Sequence, residues 1–197
     1  MIRIRLMQSI AVVLLSALLP NIASAQWALD NDGSTLSFVT VKADHVAEVH
    51  TFDMLSGTID DDGSVGVTIE LASVNTLIPI RNERMQAMLF ETNMFPQASI
   101  DADIDLDAVS AMAPGSSETI QLNFSLSMRD ITRSYTAEVL VTRLSEGVVA
   151  STRKPVVVTA ESYGLVSGVE ALREIAGLPS ISQAVPVSFT IKFDQED

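Results

Sequence analysis

An alternation of apolar and polar side chains, with a period of two residues, runs through most of this chain and limits what it can fold into. From Val65 to Leu71 every second side chain is apolar, and the residues between them are small or polar. This period is typical of a β-strand that buries one face and exposes the other. The same pattern recurs at residues 98–106, 120–128, 135–141 and 185–193.

Further apolar segments complete the predicted sheet, at residues 27–42, 45–52, 55–59 and 148–160. Pro155 cannot donate to a strand ladder, so it bends the last of these or places it at an edge. Asp60–Gly63 and Arg129–Arg133 separate neighbouring strands and predict hairpin turns. About eight or nine antiparallel strands in one domain fit both a β-sandwich and a closed β-barrel that could hold one apolar ligand.

Two short helices interrupt the strands. The segment Leu71–Pro96 contains an amphipathic helix with Arg81 and Arg84 near its start and an apolar stripe of Met85, Met88 and Leu89. Ser167 and Glu170 have the spacing of a capping box and predict a second helix. This helix should run to Ala176, because Gly177 and Pro179 end it.

The N-terminal 25 residues predict a secretory signal peptide. Arg3 and Arg5 precede the apolar run Ile10–Leu19, and Ala23-Ser24-Ala25 is a small-residue cleavage site before Gln26. No cysteine follows that site, so a lipoprotein anchor is not expected. The sequence therefore predicts a leader at residues 1–25 and one soluble, exported domain at residues 26–197.

Charge and cysteine content exclude several kinds of function. With 25 acidic and 12 basic residues, the chain has a formal net charge of −13 and should repel phosphate backbones and anionic membranes. We therefore expect no nucleic-acid partner and no stable membrane insertion. Because the chain has no cysteine, a disulfide scaffold, a thiol enzyme and a cysteine-ligated metal site are all excluded.

Catalytic and metal-binding patterns are scarce, and we predict neither kind of site. His45 and His50 are the only histidines, and their odd spacing places them on opposite faces of a predicted strand. A serine-hydrolase elbow (G-x-S-x-G) does not occur. Asp101, Asp103, Asp105 and Asp107 would be spread along one strand at intervals of about 6.6 Å, which suits a solvated face better than a single ion.

Several blocks of residues, taken in order, resemble a known family. They are Trp27 with Asp30, Ser34–Phe38, Gly57–Ile59, Ala72–Thr76, Arg81–Met85, Leu89–Phe90, Phe95–Pro96, Leu126–Arg133, Tyr163–Leu165 and the strand that ends at Phe193. The chain resembles the YceI-like lipid/polyisoprenoid-binding proteins over nearly all of its length after the leader. It departs from the family at Asn82, where aspartate is frequent, and at Asp130, where glycine is frequent.

The resemblance implies an all-β fold, a lipocalin-like extended antiparallel β-barrel of about eight strands with one or two short helices. It implies a periplasmic protein, not established as catalytic, whose barrel holds a polyprenyl chain, an isoprenoid quinone or a quinone precursor. This lipid would be bound non-covalently, with no other cofactor. The oligomeric state stays open, a homodimer included.

Inward-facing apolar residues of the predicted strands are the candidate lining of such a cavity. They are Phe38, Ile69, Leu71, Ile100, Ile104, Leu122, Phe124, Leu126, Phe189 and Ile191. Arg81 and Arg84 are the candidates for a head-group contact, with ion pairs to Glu83 or Glu91 as the alternative. Two other functions stay open: a lipid-modifying enzyme that uses Arg81, Glu83 and His50, and a ligand-free stress or structural protein with a filled core.

Overall fold

Antiparallel strands form one continuous sheet of eleven members within residues 25–196, the part of the chain that the computed structural model describes. The predicted signal peptide lies outside these residues, apart from Ala25. The strands are β1 (Ala25–Lys42), β2 (Val46–Phe52), β3 (Leu55–Asp60), β4 (Ser64–Glu70), β5 (Val74–Asn75), β6 (Gln97–Asp103), β7 (Ser117–Met128), β8 (Ile131–Arg143), β9 (Gly147–Thr152), β10 (Val156–Thr159) and β11 (Ala184–Gln195).

Helical segments occupy the connections. Helix α1 (Pro79–Arg84) continues directly into a π-helical segment (Met85–Phe90), and α2 (Leu106–Ala111) and α3 (Val166–Ile175) follow later. Short 3₁₀ turns lie at Leu71–Ser73 and Glu161–Tyr163. Among the described residues, the helices are all too short or too polar to cross a membrane.

Eight of the strands close into a barrel. Their order is β1-β3-β4-β6-β7-β8-β9-β11, and pairing of β11 with β1 completes the ring. The alternating apolar residues of these strands face its interior, as the period of two requires. The predicted eight-stranded antiparallel barrel with short helices is therefore confirmed, and β2, β5 and β10 are additions to it.

The additional strands pair with the two longest strands where these extend beyond the ring. The first residues of β1 pair with β3, whereas its residues Leu36–Lys42 pair with β2, which in turn pairs with β5. In the same way β11 pairs with β10 over Ala184–Val187 and with β9 over Thr190–Asp194. Strands β5, β2, β1, β11 and β10 thus form a curved wall above one end of the barrel.

A large aromatic residue fills the other end of the barrel. Trp27, near the start of β1, is only 1 % exposed and is paired in register with Ile59 and Gln195. The guanidinium carbon of Arg143 lies 5.0 Å from the centroid of its ring, within the range of a cation–π contact. Access to the interior is therefore expected at the end that carries β2, β5 and β10.

Both predicted hairpins form, and each uses positive φ angles. At the β3–β4 turn the Gly63 amide donates to the Asp60 carbonyl at 2.9 Å, and Gly63 has a φ of +87°. The β7–β8 turn is narrower than predicted, with only Arg129 and Asp130 between the strands, at φ angles of +52° and +60°. Positive φ at both positions characterises the type I′ turn, whose twist matches that of a hairpin.

Three local predictions were wrong. Strand β6 ends at Asp103, and Asp105 instead caps α2 by accepting a hydrogen bond from the Ala108 amide at 2.9 Å. Helix α3 begins at Val166 with Leu165 at its N-cap, so Ser167 and Glu170 form no capping box. His45 lies in the turn before β2 and not on the strand that carries His50, so the two do not face opposite sides of one strand.

Candidate ligand-binding cavity

An apolar cavity of about 460 Å³ lies between the upper part of the barrel and the helices above it. Strands β1, β2, β4, β6, β7, β10 and β11 form its wall, and α1, the π-helical segment and α3 cover it. Side chains on neighbouring strands point into it because they share the inner face of the closed sheet. A core filled completely by side chains, one of the alternatives considered above, is not what residues 25–196 form.

Most of the predicted lining residues reach this cavity. Phe38, Ile69, Leu71, Ile100, Phe124, Leu126 and Phe189 lie in its wall. Ile104, Leu122 and Ile191 do not; they line a second, smaller cavity of about 90 Å³ towards the Trp27 end of the barrel. All ten residues thus face the interior of the barrel, as their alternation predicts, whereas the division of that interior into two cavities was not predicted. Contact of any of them with a ligand stays a prediction.

Side chains from outside the closed ring complete the lining and were not among the predicted residues. Val156 and Val158 of β10, and Val169, Leu172 and Ile175 of α3, face the same cavity. A signal for α3 was present in the sequence, since these three residues form the apolar stripe of that helix. Assigning the stripe to the cavity needs the tertiary structure, because a stripe alone shows only that a face is buried.

The wall made by β1 and β2 changes from apolar to polar along its length. The directly paired residues on the inner face are Leu36 with Phe52, then Phe38 with His50, then Thr40 with Glu48. All six line the cavity. An elongated molecule with one polar end would therefore match this wall in a single orientation, with its apolar end towards Leu36.

Ionic groups cluster at the polar end of this wall. One carboxylate oxygen of Glu48 contacts the Lys42 ammonium at 2.7 Å and the Arg81 guanidinium at 2.6 Å. Arg81 also donates to the Thr76 carbonyl at 2.7 Å. The hydrogen bond from Lys42, followed by that from Arg81, holds the pKa of Glu48 below its usual value despite partial burial. Glu48 is therefore an ionised carboxylate bound by two cations.

The arginines of α1 differ in their partners. Arg81 pairs with Glu48 of β2 and not with Glu83 or Glu91, and Glu91 pairs instead with Arg129, so the acids named for the alternative were wrong. Arg84 also lines the cavity but makes no ion pair within residues 25–196. The end of the cavity that holds Lys42, Arg81 and Arg84 therefore carries excess positive charge against the single carboxylate of Glu48.

His50 is a buried polar residue in an otherwise apolar part of the wall. It is 3 % exposed, its Nε2 lies 2.9 Å from the Thr40 hydroxyl, and its ring meets Phe38 edge-on with centroids 5.3 Å apart. Burial lowers the pKa of its imidazole, and the positive charge of Arg81 lowers it further. His50 is therefore neutral at pH 7.

The residues considered for an enzyme do not come together. His50 and Arg81 face the cavity, but Glu83 is exposed on the other side of α1 and is absent from the lining. A general acid or base must lie within hydrogen-bond reach of the reacting group. Within residues 25–196, no three histidine, aspartate or glutamate side chains converge on one point that could hold a metal ion.

The family follows from comparison with known proteins. A model of the YceI-like domain matches residues 27–193. The chain belongs to the YceI-like family. Within this YceI-like chain the match covers every strand from β1 to β11, except for the outermost residues of β1 and β11. No curated protein sequence matches significantly.

Solved structures confirm the fold of the YceI-like chain. A polyisoprenoid-binding domain from Saccharophagus degradans, implicated in plant cell wall breakdown, is 35% identical and superposes with a TM-score of 0.86 over 88% of this chain and 100% of its own. BcnA from Burkholderia cenocepacia has 17% identity and a TM-score of 0.64 over 83% of this chain and 98% of its own. The Campylobacter jejuni YceI protein has 13% identity and a TM-score of 0.55, covering 75% and 85%.

Asn82, which stands where aspartate is frequent in the family, has a structural role in this YceI-like protein. The Asn82 side-chain oxygen accepts hydrogen bonds from the Thr76 amide at 2.9 Å and from the Thr76 hydroxyl at 2.6 Å. Thr76 is in turn buried at 3 % exposure. Asn82 therefore holds the loop before α1 and does not point its amide at the cavity, whose lining excludes it.

Proposed function

We propose that this YceI-like protein is a periplasmic carrier that holds an isoprenoid lipid inside its barrel. The lipid would be a polyprenyl chain, an isoprenoid quinone or a quinone precursor. The observation that carries the proposal is the cavity of about 460 Å³, whose wall is hydrocarbon and aromatic except at one end. The similar Saccharophagus degradans domain is described as polyisoprenoid-binding, which supports the same ligand class for this chain.

The size and chemistry of the cavity suit such a ligand. Small-molecule sites in proteins usually have volumes of about 300–1,000 Å³ and a mostly apolar lining. Each methylene group that leaves water for this lining contributes roughly 0.8 kcal/mol. A branched hydrocarbon chain can therefore bind well without a dedicated polar site for every part of the molecule.

The charge distribution supports one orientation for the ligand. The tail would lie deep in the barrel near Phe124 and Phe189, and the head group would lie beside Arg84 and the Lys42–Glu48–Arg81 cluster. Because this end has excess positive charge in an otherwise acidic protein, it favours a head group that is anionic or accepts hydrogen bonds. Export to the periplasm rests on the leader pattern of residues 1–25.

Extraction of the native protein tests the proposal directly. The exported protein is purified without detergent, extracted with organic solvent and examined by mass spectrometry, and uptake of an added isoprenoid quinone is then measured. We expect an isoprenoid lipid in the extract and saturable uptake of the quinone. A clean extract together with no uptake would overturn the proposed function.

Two neighbouring positions on β10 provide a matched control. Val158 faces the cavity, whereas Val157 is 54% exposed on the opposite face of the same strand. Val158→Trp should fill part of the cavity and reduce quinone uptake at least tenfold, since it displaces two or more buried carbons at about 0.8 kcal/mol each. Val157→Trp adds the same side chain outside and should leave uptake unchanged.

A further inference from the structure

A single layer of side chains separates the two cavities of the barrel. The upper cavity of about 460 Å³ and the lower one of about 90 Å³ share five lining residues, one from each of five strands: Leu36, Ile69, Ile100, Phe124 and Phe189. Leu36 and Phe189 are directly paired across β1 and β11. We call this set the dividing layer. Its two phenylalanine rings are the largest side chains between the two spaces.

The lower cavity has no polar side chain in its lining. It is bounded by aliphatic residues such as Ile59, Val67, Leu122 and Val139, together with Phe193. Apolar cavities of this kind stay dry and are filled by apolar groups. Its volume of about 90 Å³ is that of about three water-sized groups at about 30 Å³ each, which is more than half of the five carbon atoms of one isoprene unit.

Resting on the proposed function, we infer that the dividing layer and the lower cavity determine the length of the hydrocarbon chain that this protein prefers. The last isoprene unit of the preferred ligand passes between Phe124 and Phe189 and fills the lower cavity. A shorter chain ends in the upper cavity and leaves the lower one empty. A longer chain meets the packed end of the barrel at Trp27 and pushes its head group out of the polar end.

Rotation of the Phe124 and Phe189 side chains is enough to let the last isoprene unit pass into the lower cavity. The strands of a closed barrel are held in register by their ladders, so the space cannot be widened by moving one strand. Phe189 is only partly buried, and the ring of Phe124 stacks on that of its strand neighbour Tyr135 with centroids 5.6 Å apart. Both rings can therefore turn aside without breaking a hydrogen bond.

The test uses a series of isoprenoid quinones that share one head group and differ in chain length by one unit. Dissociation constants for the wild-type protein should pass through a minimum at one length. Ala150→Leu fills the lower cavity, because Ala150 lines it and does not line the upper one. This variant should weaken binding of the preferred length about tenfold or more, since two or more buried carbons are displaced, and should leave chains one or two units shorter unaffected.

Two further variants test whether the change in chain-length preference depends on the lower cavity and the dividing layer. Val149→Leu enlarges the neighbouring side chain of β9 that faces away from both cavities, and it should reproduce the wild-type series. Phe189→Leu removes one ring of the dividing layer and should shift the preference towards longer chains. This second variant still tests the inference if Ala150→Leu does not fold, which thermal unfolding will show.

The possible results separate this inference from the function on which it rests. If Ala150→Leu weakens all chain lengths equally or none, or if the wild-type protein binds every length alike, the inference is wrong while the carrier function stands. If the wild-type protein binds no member of the series, the carrier function itself fails.

Discussion

Gly168 of α3 lies so close to Leu89 that a β-carbon at position 168 would be 2.9 Å from the Leu89 α-carbon. The same β-carbon would be only 2.6 Å from the Met88 carbonyl oxygen. These distances are too short for any residue other than glycine unless the backbone moves. The π-helical segment and α3, which both cover the cavity, are therefore in direct backbone contact with each other.

Gly168→Ala should destabilise the protein. Overpacking costs about 1–3 kcal/mol, and we expect about 2–3 kcal/mol here because the closest atoms belong to the backbone and cannot rotate away. The higher helix propensity of alanine recovers up to about 1 kcal/mol of that. The net loss of about 1–2 kcal/mol is measured by urea unfolding. Gly66→Ala is the control, because nothing lies within 4 Å of the added carbon there, and its effect should stay within about 0.5 kcal/mol. An unchanged midpoint for Gly168→Ala would contradict the contact.

Arg84→Ala should weaken binding of an anionic isoprenoid, such as a polyprenyl phosphate, more than binding of a neutral isoprenoid quinone. A charge-assisted hydrogen bond contributes about 1.5–3 kcal/mol, so the loss for the anionic lipid should be about tenfold or more. Titration with both lipids measures it. Arg133→Ala removes one positive charge from an exposed position outside the cavity and serves as the control. Equal losses of affinity for both lipids would show that Arg84 supports the structure of the protein and does not contact the head group.

His50→Gln should reduce the loss of stability on acidification. Burial lowers the pKa of His50 in the folded protein, whereas in the unfolded chain it titrates near its ordinary value of 6.5. As the pH falls through that value, the unfolded state binds a proton that the folded state does not, so stability decreases. Unfolding free energies measured from about pH 7.5 to about pH 5.5 should therefore change less in His50→Gln than in the wild type.

The exposed His45 is the matched control for that experiment. His45→Gln removes an exposed histidine from the turn before β2 and should keep the wild-type pH dependence. If His50→Gln shows the same slope as the wild type, the buried imidazole is not the group responsible.

Asp130→Gly should stabilise the β7–β8 hairpin. Asp130 has a φ of +60°, a conformation that glycine adopts without steric cost. Relief of the left-handed conformation, which costs an L-residue about 1–2 kcal/mol, should outweigh the added flexibility of glycine in the unfolded chain. We expect a net gain of about 0.5–1 kcal/mol in unfolding free energy, measured by thermal or urea unfolding. Asp61→Gly, in a turn position without positive φ, should give no gain because it only adds flexibility to the unfolded chain. A loss of stability for Asp130→Gly would show that the aspartate side chain matters more than the backbone strain.

The strands of the barrel were predictable because their signal is local. A period of two in residues 65–71 or 120–128 specifies which side chains face inward whatever the neighbouring strand is. The same rule failed beyond Asp103, where the alternation continues to Leu106 although Asp105 caps a helix. A short polar side chain such as that of Asp105 suits both the outer face of a strand and the N-cap of a helix. Only the hydrogen bond that it accepts from the Ala108 amide distinguishes the two.

The polar end of the cavity was much less predictable. Arg81 and Glu48 are 33 residues apart, and they meet only because α1 folds back over β2. No sequence period encodes that contact, which is why Glu83 and Glu91 were considered and Glu48 was not. The start of α3 was also misplaced. Gly164, at a φ of +66°, ends the preceding 3₁₀ turn, and the helix then begins at Val166, one residue before Ser167.

The shared use of β1 and β11 by the ring and by the wall above it has a mechanical consequence. Hydrogen-bonded ladders fix the circumference of the ring, and the same two strands carry that rigidity up to the polar end. The helical cover is attached mainly through side chains and loops. Adjustment to ligands of different width should therefore fall on the π-helical segment and α3 as a pair, because Gly168 lies against Leu89, while the sheet keeps its dimensions.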